Sequence, residues 1–177
     1  VHRLYFQAGA DIVETNTFNS QTISLADYGM DTLGYELSKA GAECAKRAVA
    51  AVQRAQPERR CFVAGAIGPT TKTSSISTDV NNPAARGAIY EELVNAYGQQ
   101  VRGLLDGGAD LLLVERPAQL VILDRYQQSV PATERRRLTP FAPMLVKNVS
   151  GHLGDGITPC MSVEISGLPF YLILDEG

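Results

Sequence analysis

Residues 8–14 read AGADIVE, and residues 107–115 read GGADLLLVE. Each stretch places a glycine behind an apolar-periodic segment, then Ala-Asp, a short apolar run and a glutamate. A glycine there tolerates the left-handed conformation that ends a helix. A short apolar run bounded by turn signals reads as a buried strand. The repeated unit is therefore a helix stop, a strand and a carboxylate at the strand's end. The two copies lie too far apart for a solenoid repeat. They fit recurring βα units of an α/β protein, either a barrel or an open sheet.

Working outward, residues 1–8 read as the end of a helix and residues 11–14 as its following buried strand. Leu33, Leu37, Ala40, Cys44 and Ala48 recur at steps of three or four, which predicts one apolar helix stripe. Gly29 predicts a break before it, and Pro57 marks its end. Residues 61–67, CFVAGAI, predict a second buried strand that runs into Gly68 and Pro69 and a Thr- and Ser-rich loop. Asn82 and Pro83 predict a helix start, with Asn as cap and Pro in the first turn. Tyr90, Leu93, Val94, Tyr97, Val101, Leu104 and Leu105 then form one helix face, which Gly107 and Gly108 close. Residues 111–114 are apolar without alternation, as in a strand covered on both faces of a parallel sheet.

After Glu115 the pattern changes. Arg116 and Pro117 interrupt the strand exit, residues 120–128 offer a short helix, and scattered Pro and Gly follow. The expected boundary lies between Glu115 and Arg116, with residues 1–115 as one unit and residues 116–177 as a divergent, irregular tail of low order.

At 177 residues and 45% hydrophobic content the chain can bury one core, which favours one domain over two. A formal charge of −3 does not indicate a nucleic-acid or anionic-membrane surface. The run Arg135, Arg136, Arg137 lacks interleaved aromatics and reads as a solvated stretch. No apolar run approaches the roughly 20 residues needed to span a bilayer. The first residues are too short an apolar stretch for a secretory signal, and with no initiator Met they read as a cut end. Cys44, Cys61 and Cys160 are an odd, widely spaced set, which fits a reducing, cytoplasmic setting better than a disulfide framework. None forms a CxxC pair or adjoins a histidine, and His2 and His152 are isolated.

In α/β barrels the functional groups gather at the C-terminal ends of the strands. Three such ends can be read, at residues 14–18, at residues 68–71 and at Glu115. A carboxylate there can accept hydrogen bonds from a substrate ammonium group, and a Gly-Pro turn lets backbone approach a ligand closely. Each feature alone is as well explained by a loop anchor or a plain turn. The residues by themselves stop at an α/β domain with a ligand at its strand ends.

A resemblance goes further. YFQAGADIVETNTFNSQTISLADYG at residues 5–29 resembles the homocysteine-binding domain of cobalamin-dependent methionine synthase, within the homocysteine S-methyltransferase family. So do FVAGAIGPTTKTSSISTDVNNPAAR at residues 62–86 and the stretch from Leu93 that ends GLLDGGADLLLVE at Glu115. The ETNTF strand end is shared across the wider family. The loop after Gly68 points to the cobalamin-dependent enzyme over a betaine- or methylmethionine-type one, although Thr71 stands where that enzyme often has Asn.

The resemblance implies a (β/α)8 TIM barrel, of which this chain would hold about three βα units. It implies homocysteine as substrate, zinc on three cysteine thiolates, and methylcobalamin, recharged from 5-methyltetrahydrofolate, as methyl donor. Folate, cobalamin and activation modules would be the partners. By position, Glu115 matches the residue that holds the substrate's amino group. Asn16, Thr17 and Phe18 match pocket-lining residues, and Gly68 and Pro69 match the next strand end.

Three departures qualify this. The family's cysteine-bearing GLNC-like and GGCCG-like motifs have no counterpart, and Cys160 sits in TPCM instead. The opening DGAMGT-like loop is not present, and Glu115 is followed by Arg-Pro-Ala-Gln in place of a Thr-x-Phe-Asp-like stretch. The chain is therefore expected to be a fragment whose tail arises from a frame or exon change at Glu115. It is expected to carry no metal ligand and no catalytic residue, to bind no cofactor tightly, and to be inactive alone. A cobalamin-independent homocysteine methyltransferase fragment and a non-catalytic interaction fragment are the alternatives.

Overall fold

The computed structural model describes residues 1–74, 79–82 and 84–114, together with the backbone of strands at 138–140, 144–146, 153–157, 162–165 and 168–175. It is a mixed α/β structure. Helix α1 (His2–Gln7) precedes strand β1 (Ile12–Glu14). A short helix α2 (Thr22–Ala26), a 3-10 turn (Asp31–Leu33) and a long helix α3 (Gly34–Ala55) lead to β2 (Phe62–Ile67). Helix α4 (Tyr90–Asp106) leads to β3 (Leu111–Val114). β1 pairs with β2, and β2 with β3, both in parallel.

The echoed glycines act as the sequence predicts. Gly9 and Gly108 take φ values of +108° and +88°, each turning the chain from a helix into the next strand. The aspartate two residues on from Gly108 then fastens the foot of the sheet. Asp110 accepts hydrogen bonds from the Val63 amide (2.8 Å) and from Lys46 Nζ on α3 (2.8 Å).

The sheet has two faces. Val13, Val63, Ile67, Leu112 and Val114 join the main core with α3 and α4. Ala64, Leu111 and Leu113 form a separate apolar cluster on the opposite face. All four residues of β3 are buried, as its unbroken apolar run predicts. β1 differs from expectation, since only Val13 is buried while Ile12 and Glu14 are exposed. Among the described residues it ends the sheet order and pairs with β2 alone.

The face of α3 is a second correction. Of the expected stripe, Ala48 is buried, but Leu33, Leu37, Ala40 and Cys44 are exposed. The buried positions are Gly34, Ser38, Ala42, Ala45, Ala48 and Val49. Close helix packing explains the choice. A Cβ on Gly103 of α4 would lie 2.4 Å from the Tyr35 carbonyl oxygen, and one on Gly107 would lie 2.5 Å from that of Lys39. Glycines on α4 meet small residues on α3, and bulky leucines are turned outward.

α4 begins seven residues later than an Asn82 cap predicts, at Tyr90 with Ile89 in the cap position. Glu92 supplies the start by accepting a hydrogen bond from the Ile89 amide at 2.9 Å. The predicted apolar face is otherwise buried, except that Tyr90 is exposed and Gln100 is buried within it.

The tail is not wholly irregular. Its described strands are β4 (Leu138–Pro140), β5 (Met144–Val146), β6 (Leu153–Ile157), β7 (Ser162–Ile165) and β8 (Leu168–Asp175). β8 pairs antiparallel with β3, and β7 and β4 pair antiparallel with β8. The sequence hides this because Pro and Gly break the runs, yet LPFYLILD at 168–175 is rich in β-formers. The helix expected over residues 120–128, together with Glu115, residues 135–137, His152 and Cys160, lies outside the described residues. Among the described residues no helix is long and apolar enough to cross a membrane.

Two glycine substitutions separate close backbone packing from side-chain packing. Gly103→Ala drives a Cβ into the Tyr35 carbonyl and is expected to destabilise by about 1–3 kcal/mol, as overpacked cores do. Gly65→Ala meets the terminal methyls of Leu104, which can move, and should cost less. Equal loss in the two denaturant melts would contradict this account of the α3–α4 contact.

Candidate functional site

The C-terminal ends of β1 and β2 are joined by side chains as well as by backbone. The ladder continues one residue past β1, with the Thr15 amide donating to Ala64 O at 2.9 Å. The chain then bends into the loop, and two hydroxyls take over. The Ala66 amide donates to Thr15 Oγ1 at 2.9 Å, and Thr17 Oγ1 donates to Ala66 O at 2.9 Å. Thr15 Oγ1 and Thr17 Oγ1 lie 2.6 Å apart. The Thr17 proton is committed to Ala66 O, so Thr15 is the donor between them.

Below this pair lies a buried polar layer. Ser20, Ser24, Ser38, Gln21 and Gln100 are all buried, and all are hydrogen-bonded. Gln100 Nε2 on α4 donates to Thr17 O at 2.7 Å. Ser20 Oγ lies 2.7 Å from Ser38 Oγ on α3. Ser24 Oγ accepts from Gln21 Nε2 and from the Thr71 amide (3.3 Å).

The expected site residues fall into distinct places. Thr17 is 2% exposed, and its hydroxyl is bonded within the scaffold. Asn16 and Phe18, on either side of it, are exposed. Gly68 is buried and Pro69 half-buried at the neighbouring strand end. The Gly68 amide donates to Phe18 O at 2.9 Å, and a Cβ on Gly68 would lie 2.5 Å from the Phe18 ring. Phe18, Gly68 and Pro69 are thus brought to one rim, with Asn16 on the same loop. The next residue, Thr70, is held by its amide donating to Tyr97 Oη at 3.1 Å.

Glu14 is the described carboxylate at this end. It pairs in register with Ala64, which pairs with Leu111, so all three share a row on the sheet face opposite the main core. Partial burial on that face raises its carboxyl above the ordinary value of 4.5.

Sequence reasoning missed Gln100 and the serines because a polar residue amid an apolar face carries no sign of its partners. The one available signal was a glutamine interrupting the Tyr97, Val101, Leu104 stripe.

The sequence model for the family described as homocysteine S-methyltransferase matches residues 1–130. This chain belongs to that family. Solved structures of the homocysteine methyltransferase MmuM from Escherichia coli are similar to it. The metallated form matches with 27% identity and a TM-score of 0.59, covering 90% of this chain and 54% of that one. The oxidized form matches with 25% identity and a TM-score of 0.58, covering 90% and 53%. The chain therefore spans about half the length of these methyltransferases. Both the family match and the structural alignment extend past residue 115.

A zinc site of the kind the family resemblance implies needs converging thiolates. Cys44 is exposed on α3, and Cys61 is buried at the foot of β2, away from the rim. Among the described residues no group of three or more His, Cys, Asp or Glu is placed to hold a metal ion. These residues do not fit a tricysteine site.

Two substitutions test the rim. Thr17→Val keeps the shape but removes the hydroxyl that donates to Ala66 O and accepts from Thr15 Oγ1. It should destabilise by roughly 1–3 kcal/mol in a denaturant melt; an unchanged midpoint would remove Thr17 from this role. For Glu14, the raised carboxyl contributes stability that is present below the unfolded value and lost as pH rises through the folded value. Glu14→Gln should therefore gain stability relative to the parent as pH rises above about 4.5, the ordinary value. A difference that stays constant with pH would contradict the raised value.

Proposed function

We propose that this chain is the homocysteine-binding part of a methionine synthase barrel of the cobalamin-dependent kind, holding about three of its βα units. The observation that carries the reading is the rim itself. Two parallel strand ends are bound together by the Thr15 and Thr17 hydroxyls, while Asn16 and Phe18 remain exposed beside Pro69. Ligands of α/β proteins bind at such ends. The loop that follows Gly68 supports the cobalamin-dependent branch, through its resemblance over residues 62–86.

In this reading Asn16 and Phe18 contact the amino acid, and the turn at Gly68 and Pro69 lets it approach the backbone. Glu115 accepts hydrogen bonds from its ammonium group. Thr17 acts behind them as a positioning residue. In the intact family enzyme zinc would hold the substrate sulfur as a thiolate, and methylcobalamin would supply the methyl group. The described cysteines are not arranged to hold that zinc, so no methyl transfer is assigned to this chain alone. The boundary after Glu115 belongs to the proposal too. Its support is the change from parallel pairing at β1, β2 and β3 to antiparallel pairing at β8. Folate, cobalamin and activation modules of a parent enzyme, in a reducing cytoplasmic compartment, complete it.

Calorimetric titration with homocysteine tests the pocket. Without a metal–sulfur bond, saturable binding in about the millimolar range is expected, near 4 kcal/mol. Gly68→Ala pushes the Phe18 ring aside and should abolish it. Titration heats that do not saturate, or a Gly68→Ala variant that binds like the parent, would defeat the pocket. Micromolar affinity, or stoichiometric zinc on the purified chain, would defeat the reading that the chain lacks its metal.

A further inference from the structure

We infer that Gln100, in the middle of α4, is the positioning residue that clamps the first two strand ends into one rim. Its side chain is fully buried. One nitrogen, Nε2, lies 2.7 Å from Thr17 O, 3.3 Å from Ser20 Oγ and 3.4 Å from Ala66 O. It therefore reaches the loop after β1, the serine layer beneath it and the end of β2 from a third element. Turning the amide over would aim its oxygen at two carbonyl oxygens, so the orientation is dictated by the acceptors.

The other end of the amide shows what the position is for. Gln100 Oε1 is buried and has no hydrogen-bond partner among the described residues. A buried acceptor without a partner is unfavourable, and an apolar side chain of similar length would avoid that penalty. The donor end is what the site uses.

Thr17 O also accepts from the Ser20 amide at 3.0 Å, a bond within its own loop, whereas the bond from Gln100 ties it to another element. Ser20 Oγ is within reach of both Thr17 O (2.8 Å) and Ser38 Oγ (2.7 Å), but a hydroxyl has only one proton. When Ser20 donates to Ser38, Thr17 O keeps the Ser20 amide and Gln100 as its donors. Thr17 lies between the exposed residues Asn16 and Phe18, and Ala66 stands two residues before Gly68. Fixing the two carbonyls fixes the backbone that presents all three. Gln100 touches nothing at the surface, so it acts through these residues.

The consequence for homocysteine rests on the reading above, but the clamp can be tested without ligand. Amide hydrogen exchange would be compared between the parent chain and Gln100→Met, which keeps the length and removes donor and orphan acceptor together. Exchange of the Gly68 amide, which is bonded to Phe18 O, and of residues 15–20 should quicken by about tenfold or more. Ala45 and Leu112 in the core should stay as they were. Unchanged exchange at the rim would overturn the inference. So would a uniform rise across α3, α4 and the sheet, which is what mere loss of core packing gives. Should Gln100→Met fail to fold, Gln100→Asn withdraws the amide by one methylene and should give the same local pattern. Homocysteine titration of the folded variant then reads the link to the pocket, with about a tenfold loss of affinity expected. If the parent chain binds no homocysteine, the functional reading fails while the exchange result still decides the clamp.

Discussion

A parallel sheet that presents a ligand site at its strand ends must satisfy a conflict. The strands have to stay paired up to the rim, yet the chain must leave the sheet there to form loops. Here β1 is only three residues long, and its backbone ladder stops one residue later at Thr15. Two threonine hydroxyls then occupy both the donor and the acceptor of Ala66. The pairing is carried on by side chains, while the backbone between them is free to turn. That substitution makes the rim possible, because it buries Thr17 and pushes Asn16 and Phe18 outward in the same step.

The loop after the threonines is held by the helices as well. Thr17 O accepts from the Ser20 amide and from Gln100 on α4, and Ser20 Oγ meets Ser38 on α3, so both helices must approach closely enough to reach. Gly103 and Gly107 allow the approach, and Ser38 and Gln100 use it. The small-residue contact between the helices and the polar layer under the strand ends are therefore one design. Wider helix spacing would carry Gln100 away from Thr17 O and Ser38 away from Ser20. The same closeness explains why leucines that look like core positions on α3 face outward.

Much of the frame was legible because it is written in local signals. The Gly-Ala-Asp echo marks two helix stops and two strands, and unbroken apolar runs mark β2 and β3 as central. Helical periodicity failed where small residues define the contact. A stripe of Gly, Ser and Ala carries almost no hydrophobic signal, whereas Leu33 and Leu37 carry a strong one. The start of α4 was misplaced because Asn82 and Pro83 look like a cap, while Glu92 acts from inside the helix. Residues 14–18 and 68–69 were legible as strand ends. Which of them face outward was not, because that depends on partners that lie as many as 83 residues away in sequence.

The chemistry divides along the same line. Binding an amino acid at a strand mouth needs shape, backbone access and a carboxylate, and a few βα units can hold such groups. Activating a thiol needs converging metal ligands, which must come from elements that close around it. Cys44 and Cys61 lie on the flank and foot of this frame and cannot converge on the rim without unmaking it. Glu14 makes the same point from the other side. Its carboxyl already resists ionisation on a partly covered sheet face, and closing further strands around that face would strengthen the resistance unless a cation arrived with them. The row of Glu14, Ala64 and Leu111 thus places a carboxylate in line with apolar side chains on one sheet face.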